Sequence, residues 1–233
     1  MENKTVTICT PTYNRRKFLP YLIKCVENQT YPKRLIEWIV IDDGEDCVQD
    51  LFDGISYIKY FRLNKRIKLG AKRNLLHEKS SGEIIINMDD DDYYPPDRIT
   101  HVVEMLSNDK CLIAGLSKIY CYFSKIDKIY QFGPYRKYHS TAATFGFKRE
   151  LLKYTSYEND AECAEEKIFL KKYTIPLIQL NPMKTILVFA HSENTFDKYQ
   201  LIENAPTKYV KVTDLKLEDF ITNREMREFY RKQ

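Results

Sequence analysis

Two rhythms of apolar residues run through the first hundred positions. Short runs rich in β-branched residues, "TVTICT" (5–10), "IEWIVIDDG" (36–44), "YIKYFRL" (57–63) and "GEIIINM" (82–88), read as strands. Between them Phe18, Leu22, Cys25 and Val26 recur at helical spacing, and "LGAKRNLLHEKS" (69–80) reads as a second helix. This β-α-β alternation predicts an α/β fold, an open and mostly parallel sheet with helices on both faces. In such sheets ligands bind beyond the carboxyl ends of the strands.

Past residue 110 the rhythm changes. "CLIAGLSKIYCYF" (111–123), "KIYQFG" (128–133) and "TAATFGF" (141–147) read as further, partly antiparallel strands, with helices expected at 148–154 and 162–173. No Gly, Pro or Ser linker divides the halves, so a single domain is expected over 1–215, with 1–110 and 111–215 as its two parts. In the tail, 216–233, Leu217, Phe220, Ile221, Met226 and Phe229 are spaced as on an amphipathic helix. Packing on its own domain is the simplest use of that face; a homodimer contact or peripheral membrane docking are the alternatives.

Composition narrows the class. The chain has 233 residues, 43% hydrophobic and 30% charged, as expected of a folded protein with a sizeable core. A net charge of +4, from 37 Lys and Arg against 33 Asp and Glu, announces no nucleic-acid partner. Six cysteines without a CxxC pair are expected to be small core residues in a reducing compartment, and no zinc site is expected. The N-terminal residues lack the apolar core of a secretion signal, and no apolar run approaches a membrane span. A cytoplasmic protein is expected.

The expected strand ends carry the chemistry. "PTYNRR" follows the first, "DDGED" the second, and "DDDDYYPP" the fourth. Four adjacent aspartates, Asp89, Asp90, Asp91 and Asp92, raise one another's pKa, and leaving several ionised is costly unless a cation shares them. A bare acidic loop could be merely solvated. This one leaves a buried strand on the ligand-binding rim and leads into a helix start at "YYPPDR", which favours metal binding. Oxygen ligands of this kind suit Mg2+ or Mn2+ completed by substrate phosphates. There is no GxGxxG after the first strand and no GxxxxGK[ST], so neither a dinucleotide fold nor a P-loop is supported.

The ordered set "PTYNR", "IVIDDG", "GAKRN", "GEIIINMDDDDYYPPDR" and "AEEKIFLKK", spanning about residues 4–195, resembles the GT-A fold glycosyltransferases, in particular family 2. The resemblance implies an inverting, metal-dependent enzyme that moves a hexose or N-acetylhexosamine from a UDP-sugar to a hydroxyl of a glycan, lipid or protein-linked acceptor. Residues 1–110 become the nucleotide-binding half and 111–215 the acceptor and sugar half. By the same resemblance Asp91 is the direct ligand of Mn2+ or Mg2+, with Asp89 and Asp90 near ribose or phosphate. Tyr13, otherwise an ordinary core or surface aromatic, stacks on the nucleotide base with Pro11 alongside. Asp43, in what could equally be a plain turn, accepts from the imide N–H of uracil. Of the basic residues Lys65, Arg66, Lys68, Lys72 and Arg73, only Arg73 is placed near the nucleotide, the others being expected at the surface. Family members carry an "ED" pair as catalytic base where this chain has Glu165 and Glu166; that departure leaves Glu165, Glu166 or Asp160 open, with Glu166 leading. His191, whose plain reading is hydrogen-bonded packing, is by resemblance a further metal ligand, and His139 lines the sugar or acceptor pocket.

Two rivals remain at this level. A metal-dependent nucleotidyl or phosphoryl transferase could use the same acids, and a decayed transferase could survive as a carbohydrate-binding module. The abundance of Lys, Ile, Asn and Tyr suggests an AT-rich genome, and small transferases of this kind resemble those of bacterial surface-polysaccharide clusters and of large DNA viruses. A viral source would place the enzyme in the host cytoplasm.

Overall fold

The computed structural model describes residues 4–194, 196–204 and 208–233. In chain order the elements are β1 (Val6–Thr12), α1 (Leu19–Glu27), β2 (Ile36–Asp42), β3 (Ile58–Arg62), α2 (Leu69–Lys79), β4 (Ile84–Asn87), α3 (Arg98–Ser107), β5 (Ile113–Gly115), β6 (Ile119–Phe123), β7 (Lys128–Phe132) and β8 (Gly146–Lys148). They continue with α4 (Glu166–Phe169), β9 (Leu177–Gln179), β10 (Leu187–Ala190), α5 (Tyr199–Asn204), β11 (Val210–Val212) and α6 (Arg224–Arg231).

Among the described residues a seven-stranded sheet runs in the order β3-β2-β1-β4-β8-β5-β9. Its first four strands are parallel; β8 lies antiparallel to both β4 and β5, and β9 pairs parallel with β5. A second sheet, β10-β6-β7-β11, pairs β10 and β6 in parallel and the rest antiparallel. The predicted α/β architecture with its smaller, partly antiparallel part is therefore present.

Both faces of the large sheet are covered. Along β2, Ile36, Trp38 and Val40 enter one core and Ile39 and Ile41 the other; β4 divides Ile84 and Ile86 from Ile85 in the same way. Strands buried on both faces need continuous apolar runs, which is why they were readable. Register aligns Thr12 of β1 with Asp42 of β2 and Cys9 with Asn87 of β4, so the segments that follow these strands leave from one rim.

Helix α1 buries Leu19, Leu22, Cys25 and Val26, the face expected from their spacing. Helix α2 buries Gly70, Lys72, Arg73, Leu76 and His77, a face that mixes charge with apolar groups. Its first turn is pressed against the segment before α4: a Cβ on Gly70 would lie 1.9 Å from the Glu158 carbonyl oxygen, and the Gly70 N–H donates to the Ala161 carbonyl at 2.9 Å. Only glycine permits that approach.

Several expected elements differ. The helix expected at 148–154 is a 3-10 turn, Arg149–Lys153. The one expected at 162–173 shrinks to the single turn of α4, because Ala164 before it and Lys171, Lys172 and Tyr173 after it adopt left-handed backbone at φ between 47° and 64°. Such conformations are costly outside glycine and break a right-handed helix. The tail is likewise divided into a 3-10 turn, Leu217–Asp219, and α6. The first ends at Phe220, and Asn223 starts the second, its side chain accepting from the Met226 N–H at 3.0 Å as an N-cap. The six cysteines are free, yet Cys47 and Cys163 are exposed and Cys111 partly so, since they sit in connecting segments instead of strands.

Helix α6 packs on its own chain. Phe229 stacks on Tyr21 of α1 at 3.7 Å, Tyr230 stacks on Phe189 of β10 at 3.9 Å, and the Tyr230 hydroxyl donates to the Asp92 carbonyl at 3.2 Å. No helix among the described residues is long and apolar enough to cross a membrane.

Candidate active site

The rim at the carboxyl ends of β1, β2 and β4 opens into a cleft of about 920 Å³, lined among others by Pro11, Tyr13, Arg15, Lys72, Arg73, Asp89, Asp90, Asp91 and Asp160. Tyr13 also borders a neighbouring recess of about 450 Å³ that includes Asp43 and Arg62. The Arg66 guanidinium lies 4.1 Å from the centre of the Tyr13 ring, within cation–π range.

Each aspartate of the acid turn has its own surroundings. Asp92 faces inward and accepts from the Phe189 N–H at 3.0 Å, so it anchors the turn to β10. Asp91 points at His191, Oδ2 to Nε2 at 3.1 Å, and Asn194 Nδ2 is 3.4 Å from the same oxygen. Burial would raise the Asp91 carboxyl, but the His191 contact and the charges of Lys198 and Arg15 outweigh it and hold it below the usual carboxylate range. Asp90 goes the other way, pushed well above that range by burial and by the charge of Asp91. Arg15 stands between them, its Nε 3.8 Å from Asp90 Oδ1 and 3.7 Å from Asp91 Oδ2. A turn whose neighbouring carboxylates are driven apart in this way is short of positive charge.

His191 leaves β10 and is held by the next residues. The Glu193 N–H donates to Nδ1 at 3.2 Å, and the ring lies 4.6 Å from that of Phe18. Its Nε2 faces both Asp91 Oδ2 at 3.1 Å and the Asn194 side-chain nitrogen at 2.8 Å. No group of three His, Cys, Asp or Glu among the described residues could hold a metal by itself. Asp91 and His191 with Asp90 beside them nevertheless suit Mg2+ or Mn2+, ions usually held by one or two protein ligands plus phosphate oxygens and water.

Arg73 is 3% exposed and lies in the wall between this turn and the Glu pair. Its two terminal nitrogens donate to the two Asp89 oxygens at 3.0 Å each, while Nε donates to Glu165 Oε1 at 2.7 Å. Glu165 is therefore committed to Arg73. Glu166 stands apart, with its Oε1 3.5 Å from the Tyr173 hydroxyl. Burial pushes its carboxyl up, and the adjacent Glu165 charge adds to the effect. Asp160 is exposed on the cleft wall, which Glu165 and Glu166 do not line.

Lys72, expected at the surface, is buried: its Nζ pairs with Asp43 Oδ1 and donates to the Thr12 carbonyl at 3.1 Å. A polar residue at a helix position next to Arg73 reads as solvated, and only the tertiary partner shows otherwise. Asp43 Oδ2 in turn accepts from the Ile67 N–H at 2.8 Å, so both oxygens have partners and the side chain is buried. Arg15, Asn194 and Lys198 received no role from the sequence. Arg15 lies inside the "PTYNR" motif and Asn194 in the "HSENT" stretch after His191.

Residues 7–167 match Glycosyl transferase family 2, and the chain belongs to that family. A GalNAc(5)-diNAcBac-PP-undecaprenol beta-1,3-glucosyltransferase of Campylobacter jejuni is 35% identical over 94 residues, which cover 37% of this chain and 29% of that protein. The fold matches S. aureus TarS 1-349 in complex with UDP-GlcNAc at a TM-score of 0.68 and 17% identity, over 82% of this chain and 60% of that one. It also matches the mannosyltransferase PcManGT from Pyrobaculum calidifontis in complex with GDP-Man and Mn2+ at a TM-score of 0.65 and 16% identity, over 82% and 58% of the two chains.

Proposed function

We propose that this enzyme transfers a hexose or N-acetylhexosamine from a UDP-sugar to an acceptor hydroxyl on a glycan or a lipid- or protein-linked sugar, with inversion and with a divalent cation. The observation that carries this reading is the meeting of Asp91 with His191 beside Asp90 at the floor of a cleft walled by Tyr13, Arg15 and Lys72. An aromatic ring for the base, cations for the diphosphate and a paired oxygen and nitrogen donor set for a metal are the three demands of a nucleotide-sugar. The presence of UDP-GlcNAc in one structural neighbour and of Mn2+ in another supports the same assignment.

In this reading Tyr13 stacks on the uracil with Pro11 beside it, and Asp43 accepts from the imide N–H. Asp89 and Asp90 lie toward ribose and phosphate. Arg73 spends three of its five N–H donors on Asp89 and Glu165 and lines the same cleft, so it positions both carboxylates beside the nucleotide. Asp91 and His191 would hold Mn2+ or Mg2+, whose chemistry there is to neutralise charge on the diphosphate leaving group.

Glu166 takes the proton of the attacking hydroxyl. A base poised closer to neutral pH is better matched to that task than a solvated glutamate, and burial gives Glu166 that property. Attack from the face opposite the diphosphate inverts the anomeric centre. The test is metal-dependent UDP release from a panel of UDP-sugars: Asp91→Ala should abolish both release and metal-dependent UDP binding. Clear preference for GDP over UDP in a calorimetric titration with Mn2+ would overturn the donor assignment.

A further inference from the structure

Arg98, the first residue of α3, is a fully buried cation. Its Nη2 donates to the carbonyls of Thr144 at 2.8 Å, Phe145 at 3.0 Å and Asn87 at 3.4 Å. Asn87 ends β4 and Arg98 opens α3, so this side chain joins the two ends of the segment 88–97, which carries all four aspartates of the acid turn. The Phe145 carbonyl also accepts from the Asn87 N–H at 3.0 Å, one step past the last β4–β8 pair, Ile86 with Gly146. Arg98 therefore stands where the two strands part.

Two more side chains fix the segment from within. The buried Tyr94 hydroxyl accepts from the Asp89 N–H at 2.5 Å, and Gln29 donates to the Pro95 carbonyl at 2.9 Å while accepting from the Ile99 N–H at 3.0 Å. Filling this space needs no charge: a buried guanidinium costs far more than an apolar side chain of similar volume. Arg98 Nε and Nη1 have no hydrogen-bond partner among the described residues. Burial pushes the Arg98 pKa down to about 10, with Tyr94 pulling the other way. Tyr94 in turn is raised by burial and by the charges of Asp89 and Asp92, and lowered by that of Arg98, so its hydroxyl lies between the buried cation and the acids.

We propose that Arg98 is a positioning residue of the acid turn: it closes the loop 88–97 at its base, so that Asp89 to Asp92 keep the spacing a divalent ion needs. The proposal rests on the metal reading of Asp91 and His191 and adds a residue that touches neither ion nor nucleotide. Four like charges in one turn repel one another, and an unrestrained loop would relax by spreading them. Charge-assisted hydrogen bonds from one guanidinium nitrogen to both flanks of the loop oppose that spreading, with Tyr94 holding the first aspartate from inside. Such outer partners fix the orientation of ligands they do not join. The direct field of Arg98 works in the opposite sense, since a positive charge repels an incoming cation, and the two effects therefore predict opposite signs when the side chain is neutralised.

The test titrates Mn2+ into the full chain with UDP present, by calorimetry and by the electron paramagnetic resonance of the ion, with a thermal melt on each sample to report folding separately. Arg98→Met should weaken Mn2+ about tenfold and broaden its spectrum. Arg98→Lys, whose ammonium has three N–H donors for the three carbonyls, should bring the affinity back to within about threefold of wild type. Arg98→Gln, uncharged but still a donor, is read in place of Arg98→Met if the latter is unfolded at the assay temperature. Wild-type Mn2+ affinity in a folded Met or Gln variant overturns the proposal, as does tighter binding, which would leave the guanidinium as a repelling charge alone. A loss in Arg98→Lys equal to that in the neutral variant overturns it too. Wild type that binds no Mn2+ overturns the metal reading instead, and this proposal with it.

Discussion

Glu166 owes its proposed role to what surrounds it. Glu165 spends an oxygen on Arg73 and Asp160 is open to solvent, whereas Glu166 is half-buried and accepts from the Tyr173 hydroxyl. Glu166→Gln should therefore lower transfer by about 10² to 10⁴-fold while UDP binding persists, and Asp160→Asn should have the smaller effect. The pH profile adds a sign. The base must be ionised, and its pKa is raised above the ordinary glutamate value of 4.5, so kcat should fall on the acid side at a higher pH than a solvated glutamate would give. Asp90 makes a stability prediction. Its folded carboxyl is pushed above its unfolded value, so the folded state binds the extra proton and stability falls as pH rises past the ordinary carboxylate range. Asp90→Asn should then raise Tm in metal-free buffer at pH 8 and give little gain near pH 4, a comparison that thermal melts make directly.

At the scale of elements, α6 braces the site from behind. Tyr230 is fully packed between Phe189 and Tyr21 and holds the carbonyl of Asp92. Tyr230→Ala should cost about 3–5 kcal/mol and Tyr230→Phe about 1 kcal/mol, read from urea denaturation. Strand β2 was readable because it is apolar nearly throughout, and α1 because its apolar residues are periodic. What was not readable had a specific cause. Left-handed residues at Ala164 and at Lys171, Lys172 and Tyr173 cut down α4 although nothing in their side chains forbids a helix. Helix α2 hides Lys72 and Arg73 on its buried face, and a buried cation looks in sequence like a solvated one until Asp43, Asp89 and Glu165 are brought to it. The acid turn was recognisable as a site, but the division of labour inside it came from His191, a hundred residues away in the chain.

For the whole molecule, the sheet order matters more than any one loop. Strands β3, β2, β1 and β4 run the same way, so their outgoing segments meet, and β10 of the second sheet delivers His191 to the same place. Binding across segments so distant in sequence should be felt by the entire fold. UDP with Mn2+ at a hundredfold its Kd should raise Tm by about 5–10 °C, since such saturation is worth about 2.7 kcal/mol in a domain of this size. Chelation should remove most of the gain, and Asp91→Ala should show none.

The single guanidinium of Arg73 serves a carboxylate from each half of the chain, so the proposed donor side and the proposed proton-accepting side are moored to the same post. Loosening either rope slackens the other: the losses from Asp89→Asn and Glu165→Gln should be far from additive, and a double-mutant cycle on kcat would measure the shared tension as a coupling.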